Sequence, residues 1–389
     1  MQNKPIVVYI GPFSFPNGGA AARRILGNAM SFRDAGCEVV IASGQMRDGV
    51  VSEYEGFEVV SLEERIAERY PRYLKHLFYL SMGKKSIEWL NSLEKKPDMI
   101  VLYSGYTPYL MKLIPWCKDN GVKFVFDAVE WYDPKSFWHG FFSPYQWNIE
   151  IALRYYSKKT QAVIAISSFL EKHYRAKGCE VVKIPPTLDT KEIIPNLEVK
   201  NDILTLSYTG TPGHKDLFNE YIEAVLQLSE EGESLKFCFA GVSIEQLVRF
   251  EALKTRGISK DNIPKVLDCR GVTTQKEAID ITKNADFSLL LRRVERYAQA
   301  GFPTKVVESL SMGTPVICNI TSDLKDYIIH KNTGLICDEA TVASLKQSIK
   351  EALFLTKDKK QFMRKSARDM AQRSFDYRCY IDTIKQLIK

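Results

Sequence analysis

Between Asp286 and Asn319 the chain reads Asp286-Phe-Ser-Leu-Leu-Leu-Arg292-Arg293, a polar loop, then Gly301-Phe-Pro303-Thr-Lys305-Val-Val-Glu308-Ser-Leu-Ser-Met-Gly313-Thr-Pro-Val-Ile-Cys-Asn319. Phe287 to Leu291 is an apolar run of strand length. Pro303 can open a helix, because a first-turn position has no intrahelical partner for the N–H that proline lacks. Gly313 ends that helix, and Val316 to Cys318 supplies the next apolar run. The unit is strand, loop, helix, turn, strand, with a helix N-terminus directed at the carboxyl edge of a sheet, where anions bind. The amides of Thr304, Lys305 and Val306 would face a phosphate, and Arg292 and Arg293 supply positive charge. Glu308 sits among Val306, Val307 and Leu310, an unusual setting for a solvated glutamate, and can accept two hydrogen bonds from a diol such as a ribose. The set fits a sugar nucleotide.

The same alternation runs through the rest of the chain. Ile6 to Ile10 is a continuous apolar run, followed by the loop Gly11 to Gly19, a helix from Ala20 to about Ala35, and a strand at Glu38 to Ala42. Strands are expected at Phe57 to Val60, Met99 to Tyr103, Lys123 to Asp127 and Ala162 to Ile166, with helices between most of them. That order points to a parallel sheet covered on both faces. From Ile184 to Asp202 the period is lost and Pro185, Pro186 and Pro195 appear, which marks a linker. The alternation restarts at Leu204 to Tyr208, with a helix at Asp216 to Leu228 and a strand at Leu235 to Ala240. The expected domains are 1–190 and 200–373, with a helix over 374–389 packing back on the first through Tyr377, Tyr380, Ile381, Ile384, Leu387 and Ile388.

At 389 residues, two hydrophobic cores are expected. The net charge of +7 is modest and its basic residues are interspersed with acids, so nucleic acid is not an expected partner. The stretch 65–85 mixes Arg65, Arg69, Arg72, Lys75, Lys84 and Lys85 with Tyr70, Tyr73, Phe78 and Tyr79. It reads as a solvated helix face with buried aromatics or as a contact with an anionic membrane. The eight cysteines form no C-x-x-C pair and read as reduced core residues. No run of about 18 apolar residues and no leader-type stretch occurs, so the expected location is cytoplasmic, including the inner face of the membrane.

A second loop, Tyr208-Thr-Gly210-Thr-Pro-Gly213-His214-Lys215-Asp216, lies between a strand and a helix, where a phosphate loop belongs. Lys215 can place its charge on a diphosphate, and Asp216 is a candidate N-cap. Gly18-Gly19 opens a helix with Arg23 one turn on, which permits close approach of backbone to an anion or serves only as a turn. No G-x-G-x-x-G follows the first strand, which argues against a nicotinamide enzyme. Asp127, Glu130, Trp131, Tyr132 and Asp133 end another strand with a composition suited to sugars. There is no D-x-D pair and the five histidines show no ligand spacing, so no metal is expected; lysine, arginine and helix amides neutralise the leaving group instead.

These residues resemble the retaining nucleotide-sugar glycosyltransferases of glycosyltransferase family four (group one), over nearly the whole chain. The resemblance rests on Gly301 to Glu308 with Met312-Gly313-Thr-Pro-Val-Ile, supported by Gly18-Gly19, Asp127 to Trp131, Ser167, Gly210 with Lys215, and Gly334-Leu-Ile. It implies an α/β GT-B fold, two Rossmann-like domains facing across a cleft, the C-terminal one for a UDP- or GDP-sugar and the N-terminal one for a glycan or lipid-linked acceptor. It also implies metal-independent transfer with retention and no cofactor. Lys215, Arg292 and Glu130 are the implied catalytic residues; Gly18, Gly19, Gly210, Arg293, Thr304, Lys305, Val306 and Glu308 bind the donor; and Asp127, Trp131 and Arg23 touch the acceptor or sugar. The family commonly has two glutamates with seven residues between them, whereas Ala300 stands at the first here, leaving that role to Gln299 or a backbone amide. Thr211 stands where an arginine is common, and Arg292 or Arg293 supplies that charge. A bacterial surface polysaccharide pathway is the implied setting, with a sugar-nucleotide epimerase or a non-catalytic nucleotide-sugar-binding subunit as alternatives.

Overall fold

The computed structural model describes residues 4–46, 51–65, 78–104, 106–133, 143–199, 202–213 and 215–389. They form two compact units. The first comprises Met1–Asp189, Gln299–Phe302 and Asp376–Lys389, and the second Thr190–Ala298 and Pro303–Phe375. The short piece 299–302, expected in the second domain, belongs with the first unit.

In the first unit the described strands are β1 (Ile6–Gly11), β2 (Glu38–Ser43), β3 (Glu53–Tyr54), β4 (Phe57–Ser61), β5 (Met99–Tyr103), β6 (Lys123–Ala128), β7 (Ala162–Ala165) and β8 (Glu180–Lys183). Their order is β3-β4-β2-β1-β5-β6-β7-β8, and every pairing except β3 with β4 is parallel. The central runs are apolar without alternation because both faces are covered. Val7, Tyr9, Ile41, Val101, Val125 and Ile164 pack with Ile25, Ala29 and Phe32 of the helix Ala20–Asp34 and with Ile384 and Leu387 near the C-terminus. The C-terminal segment is not one helix: a long helix, Lys357–Ser374, ends in the second unit, then Asp376 caps a tight turn at Tyr377–Tyr380, and Ile381–Ile388 follows. Lys123 donates to the Leu387 carbonyl at 2.7 Å and Ser31 to that of Tyr377 at 2.9 Å, fixing this tail to β6 and the first helix.

The second unit's described strands are β9 (Leu204–Thr209), β10 (Leu235–Ala240), β11 (Leu267–Cys269), β12 (Phe287–Leu290), β13 (Val316–Asn319) and β14 (Gly334–Cys337), ordered β11-β10-β9-β12-β13-β14 and all parallel. Leu206, Phe237, Phe239, Phe287 and Ile317 form its core with Phe218 and Tyr221 of the helix Phe218–Glu230 and Leu345 and Ile349 of Val342–Phe354. Fully burying such side chains stabilises by about 1.5–3 kcal/mol each.

Two buried arginines of the helix Lys357–Ser374 hold the ends of its neighbours. Arg364 donates to the carbonyls of Ala285 and Lys283, both at 2.6 Å, at the end of the helix Gln275–Asn284. Arg368 donates to Ser311 at 2.5 Å and to Thr190 at 2.6 Å. Last-turn carbonyls lack intrahelical donors and carry partial negative charge, so guanidinium groups satisfy both needs. Burial pushes Arg364 down to about 10. Ser311 closes the helix Thr304–Ser311, so Arg368 fixes the far end of the element whose N-terminus matters below.

Candidate active site

Both sheets change direction of build-up at one point, between β1 and β5 in the first unit and between β9 and β12 in the second. Loops leaving two such strands diverge and leave a crevice at their carboxyl ends, the usual ligand position in open α/β sheets.

In the second unit that crevice holds a charged cluster. The Asp216 carboxylate accepts from Lys305 Nζ at 2.6 Å, Tyr208 OH at 2.7 Å and Arg292 Nε at 3.1 Å. Burial alone would raise the Asp216 pKa; the charges of Lys305 and Arg292 and the hydrogen bonds from Lys305 and Tyr208 outweigh it and hold the carboxyl below its ordinary value. Burial lowers Lys305, with Asp216 opposing. Two cations share one anion, so the cluster carries a net positive charge at the switch point. Arg292 is further fixed by Asn319, which accepts from its N–H at 2.9 Å and donates to its carbonyl at 2.8 Å. Lys215 lies with Nζ 5.9 Å from the Tyr297 ring centre, and Arg293 is exposed. Gly210 has φ 113°, and a Cβ on neighbouring Gly241 would sit 2.4 Å from the Gly210 carbonyl carbon, so neither position tolerates a side chain. Glu308 and Lys305 line a narrow crevice with Tyr208 and Thr209.

Three details differ from the sequence reading. Asp216 is not the N-cap, which is Leu217 with no side-chain bond; the carboxylate has stronger partners in Lys305 and Arg292. Pro303 stands one position before the first helical turn, and the Val306 amide bonds back to the Pro303 carbonyl at 3.1 Å, so it does not face a phosphate. Thr304 and Lys305 occupy the first turn, and Lys305 acts through its ammonium group.

The first unit's switch point opens into a cavity of about 510 Å³ beyond β1, β5 and β6. Phe13, Tyr103, Tyr106 and Tyr132 give it aromatic walls, and Ile149 and Leu153 an apolar floor. Among the described lining residues Glu130 and Arg65 bear the charges. Arg65 donates to Ser14 Oγ at 2.7 Å. The Tyr132 phenol is raised by burial and then by the charge of Glu130 and its hydrogen bond to it, and Tyr103 by burial and then by Glu130. Gly18 lines the cavity as well; a Cβ there would lie 1.9 Å from the Ser14 carbonyl oxygen, so the loop closes only on glycine. Gly19 begins the helix with φ 62°, and Arg23 is exposed on it. Aromatic faces with one carboxylate and one guanidinium suit a polyhydroxylated ligand.

Asp127 and Trp131 are buried and bonded to protein groups. Asp127 is 0 % exposed and takes Arg24 Nη2 at 2.6 Å, Arg24 Nε at 3.0 Å and the Tyr9 hydroxyl. Arg24 also donates to Ile184 O at 2.9 Å, and Asn28 to Tyr9 at 3.0 Å, so the network ties β1, β6, the first helix and the end of the unit together. Trp131 is 3 % exposed, donates to Glu150 at 3.0 Å and meets the edge of His173 with ring centres 4.5 Å apart. Sequence reasoning missed Arg24, Asn319 and the role of Lys305; an arginine amid the apolar face of a helix was the available sign for Arg24.

His173 offers a check on this packing. Burial, then Lys177 and Arg154, push it down to about 4. The native state therefore holds it neutral while the unfolded chain takes up a proton near pH 6.5. Stability is full above that pH, falls as pH drops from about 6.5 to about 4, and then levels for this group. Urea melts of His173→Phe across this range are expected to show a shallower acid-side decline than the native protein.

Among the described residues no group of three His, Cys, Asp or Glu is placed to hold a metal ion, and no helix is long and apolar enough to cross a membrane. Of the stretch 65–85, residues 66–77 lie outside the described residues.

Two family models divide the chain: Glycosyltransferase Family 4 matches residues 18–192, and Glycosyl transferases group 1 matches residues 189–370. A search of the curated proteins finds no match. Solved structures share the fold at low identity. Sucrose-phosphate synthase from Thermosynechococcus elongatus is 15% identical with a TM-score of 0.74, over 99% of this chain and 98% of that one. The HepE protein of Anabaena, in complex with UDP-glucose, is 13% identical with a TM-score of 0.66, over 99% and 98%. The lipopolysaccharide outer core galactosyltransferase WaaB is 14% identical with a TM-score of 0.64, over 98% and 99%. With the two models together spanning residues 18–370 and both units built as parallel α/β sheets, the chain belongs to the glycosyl transferases of group 1 and family 4 and is a glycosyltransferase of the GT-B fold.

Proposed function

We propose that this enzyme transfers a sugar from a UDP- or GDP-sugar to a glycan or lipid-linked acceptor, with retention of configuration and without a metal, in assembly of a surface polysaccharide. The observation that carries the reading is the net positive cluster at the β9–β12 switch point, where Arg292 and Lys305 share Asp216 and Lys215 stands on the same loop. In transfer, the acceptor oxygen bonds the anomeric carbon as the bond from that carbon to the diphosphate breaks; the diphosphate leaves with the electron pair, and its oxygen takes up the proton of the acceptor hydroxyl. Charge grows on the leaving oxygen, and fixed cations stabilise it without reorganising. Lys215 and Arg292 serve there, with Arg293 and the first-turn amides of Thr304 and Lys305 beside them; Gly210 lets the donor approach the backbone, and Glu308 holds the ribose. The UDP-glucose complex of HepE supports a uridine donor. In the first unit, Glu130 receives the acceptor hydroxyl and Arg23 meets the acceptor or sugar, while Gly18 and Gly19 permit close approach of the donor to the backbone. This unit is the acceptor domain, the second the donor domain, and the stretch 65–85 adds a contact with the inner membrane face.

The test is incubation with a panel of nucleotide sugars and candidate acceptors, with products read by NMR. The expected result is a new glycosidic bond of the donor's anomeric configuration, formed equally well in EDTA. An inverted linkage or dependence on a divalent cation would contradict the stereochemical and metal-free parts. Epimerised donor without transfer would show an epimerase, and binding without turnover of any donor a non-catalytic subunit.

A further inference from the structure

The segment 144–159 has two faces with different tasks. It runs as an α-helix over Pro144–Ile151, a wider π turn over Ala152–Tyr156 and a tight turn over Ser157–Lys159. Its inner face gives Ile149 and Leu153 to the cavity that holds Glu130. On the outer face Trp147, Ile151 and Tyr155, spaced four residues apart, are 58%, 41% and 48% exposed. A single exposed hydrophobic residue is ordinary, but an aligned tryptophan, isoleucine and tyrosine is not.

Cations border this stripe. Lys159 and Lys158 have their Nζ atoms 4.1 and 5.4 Å from the Tyr155 ring centre. Arg154 is exposed beside Tyr155, and Lys177 donates to the Arg154 carbonyl at 3.2 Å. Lys177 is lowered by burial and then by the charges of Arg154 and Lys158, so these cations repel one another. The nearby acids are committed: Glu150 pairs with Arg154, and Glu171 with Arg175 at 3.0 Å. Crowded cations next to exposed tryptophan and tyrosine match the headgroup layer of an anionic bilayer, where aromatic rings seat at the interface and lysines reach the phosphates.

We propose that the Trp147, Ile151 and Tyr155 face, with Lys158, Lys159 and Lys177, is a docking surface for an anionic lipid bilayer. The helix that docks is also a wall of the cavity, so an acceptor carried on a lipid reaches Glu130 across a single helix thickness. That last step rests on the cavity being the acceptor site; docking itself does not.

Flotation with vesicles of 30% phosphatidylglycerol in phosphatidylcholine, against pure phosphatidylcholine, tests the proposal on the full chain. The native protein is expected to bind the anionic vesicles at least tenfold more strongly. Trp147→Ser with Tyr155→Ser is expected to lower that binding at least tenfold, and Lys158→Glu with Lys159→Glu to abolish it, with unchanged circular dichroism and melting. All variants should keep native turnover on a water-soluble acceptor, which separates failure of docking from failure of the transferase reading. Absence of native binding, equal binding to neutral vesicles, or variants that bind as the native protein does would overturn the proposal. So would a dimer in sedimentation velocity that these substitutions dissociate, since the face would then cover a second copy.

Discussion

Asp127→Ala is expected to lower the stability of the first unit by about 3–5 kcal/mol, the usual cost of leaving one member of a buried ion pair without the other. Arg24 would keep its bond to the Ile184 carbonyl, but its charge would remain out of water with no counter-ion. Tyr9 would lose its acceptor in the same change. The paired substitution Arg24→Met with Asp127→Leu removes both charges and is expected to cost much less, because desolvating the pair offsets most of its attraction. Urea denaturation followed by circular dichroism distinguishes the cases. A single variant no less stable than the double one would show that the pair is not the tie between β1, β6 and the first helix. If the residues acted on a sugar instead, Asp127→Ala would spare stability and remove turnover.

Lys215 and Lys305 are expected to respond differently to truncation. Lys215→Ala should reduce transfer roughly 100- to 1,000-fold, the range seen when one preorganised donor to a developing anion is removed. Its melting should stay close to native, since Lys215 is half-buried and its aromatic contact with Tyr297 is long. Lys305→Ala should lose activity and also about 1–3 kcal/mol of stability, because it takes a 2.6 Å charged partner from a buried carboxylate. Steady-state kinetics with thermal melts of both variants checks the split. Equal loss of stability in both would place Lys215 in the scaffold.

The fold was legible in the sequence because its determinants are local. Continuous runs such as Ile6 to Ile10 and Phe287 to Leu291 mark strands covered on both faces, and Gly and Pro punctuate the turns between them. The switch-point loops followed, since residues just after such strands have few places to go. What stayed hidden depends on distant partners. Asp216 has the sequence context of a helix cap, and nothing nearby in the chain announces Lys305, 89 residues on, or Arg292, 76 residues on. Asp127 and Trp131 have sugar-binding composition, yet Arg24, 103 residues earlier, and Glu150 take them into the interior. The tail reads as one helix by periodicity, but the cap at Asp376 divides it, a hydrogen-bonding detail that periodicity does not carry.

The central claim is that the cations at the β9–β12 switch point hold the diphosphate of the donor. Isothermal titration of UDP and of GDP into the native protein, Lys215→Ala and Arg292→Ala tests it most directly. The account predicts that one nucleotide binds the native protein, that rising salt weakens binding, and that each substitution weakens it at least tenfold, about 1.4 kcal/mol. Equal affinity in all three proteins, or binding indifferent to salt, would contradict it.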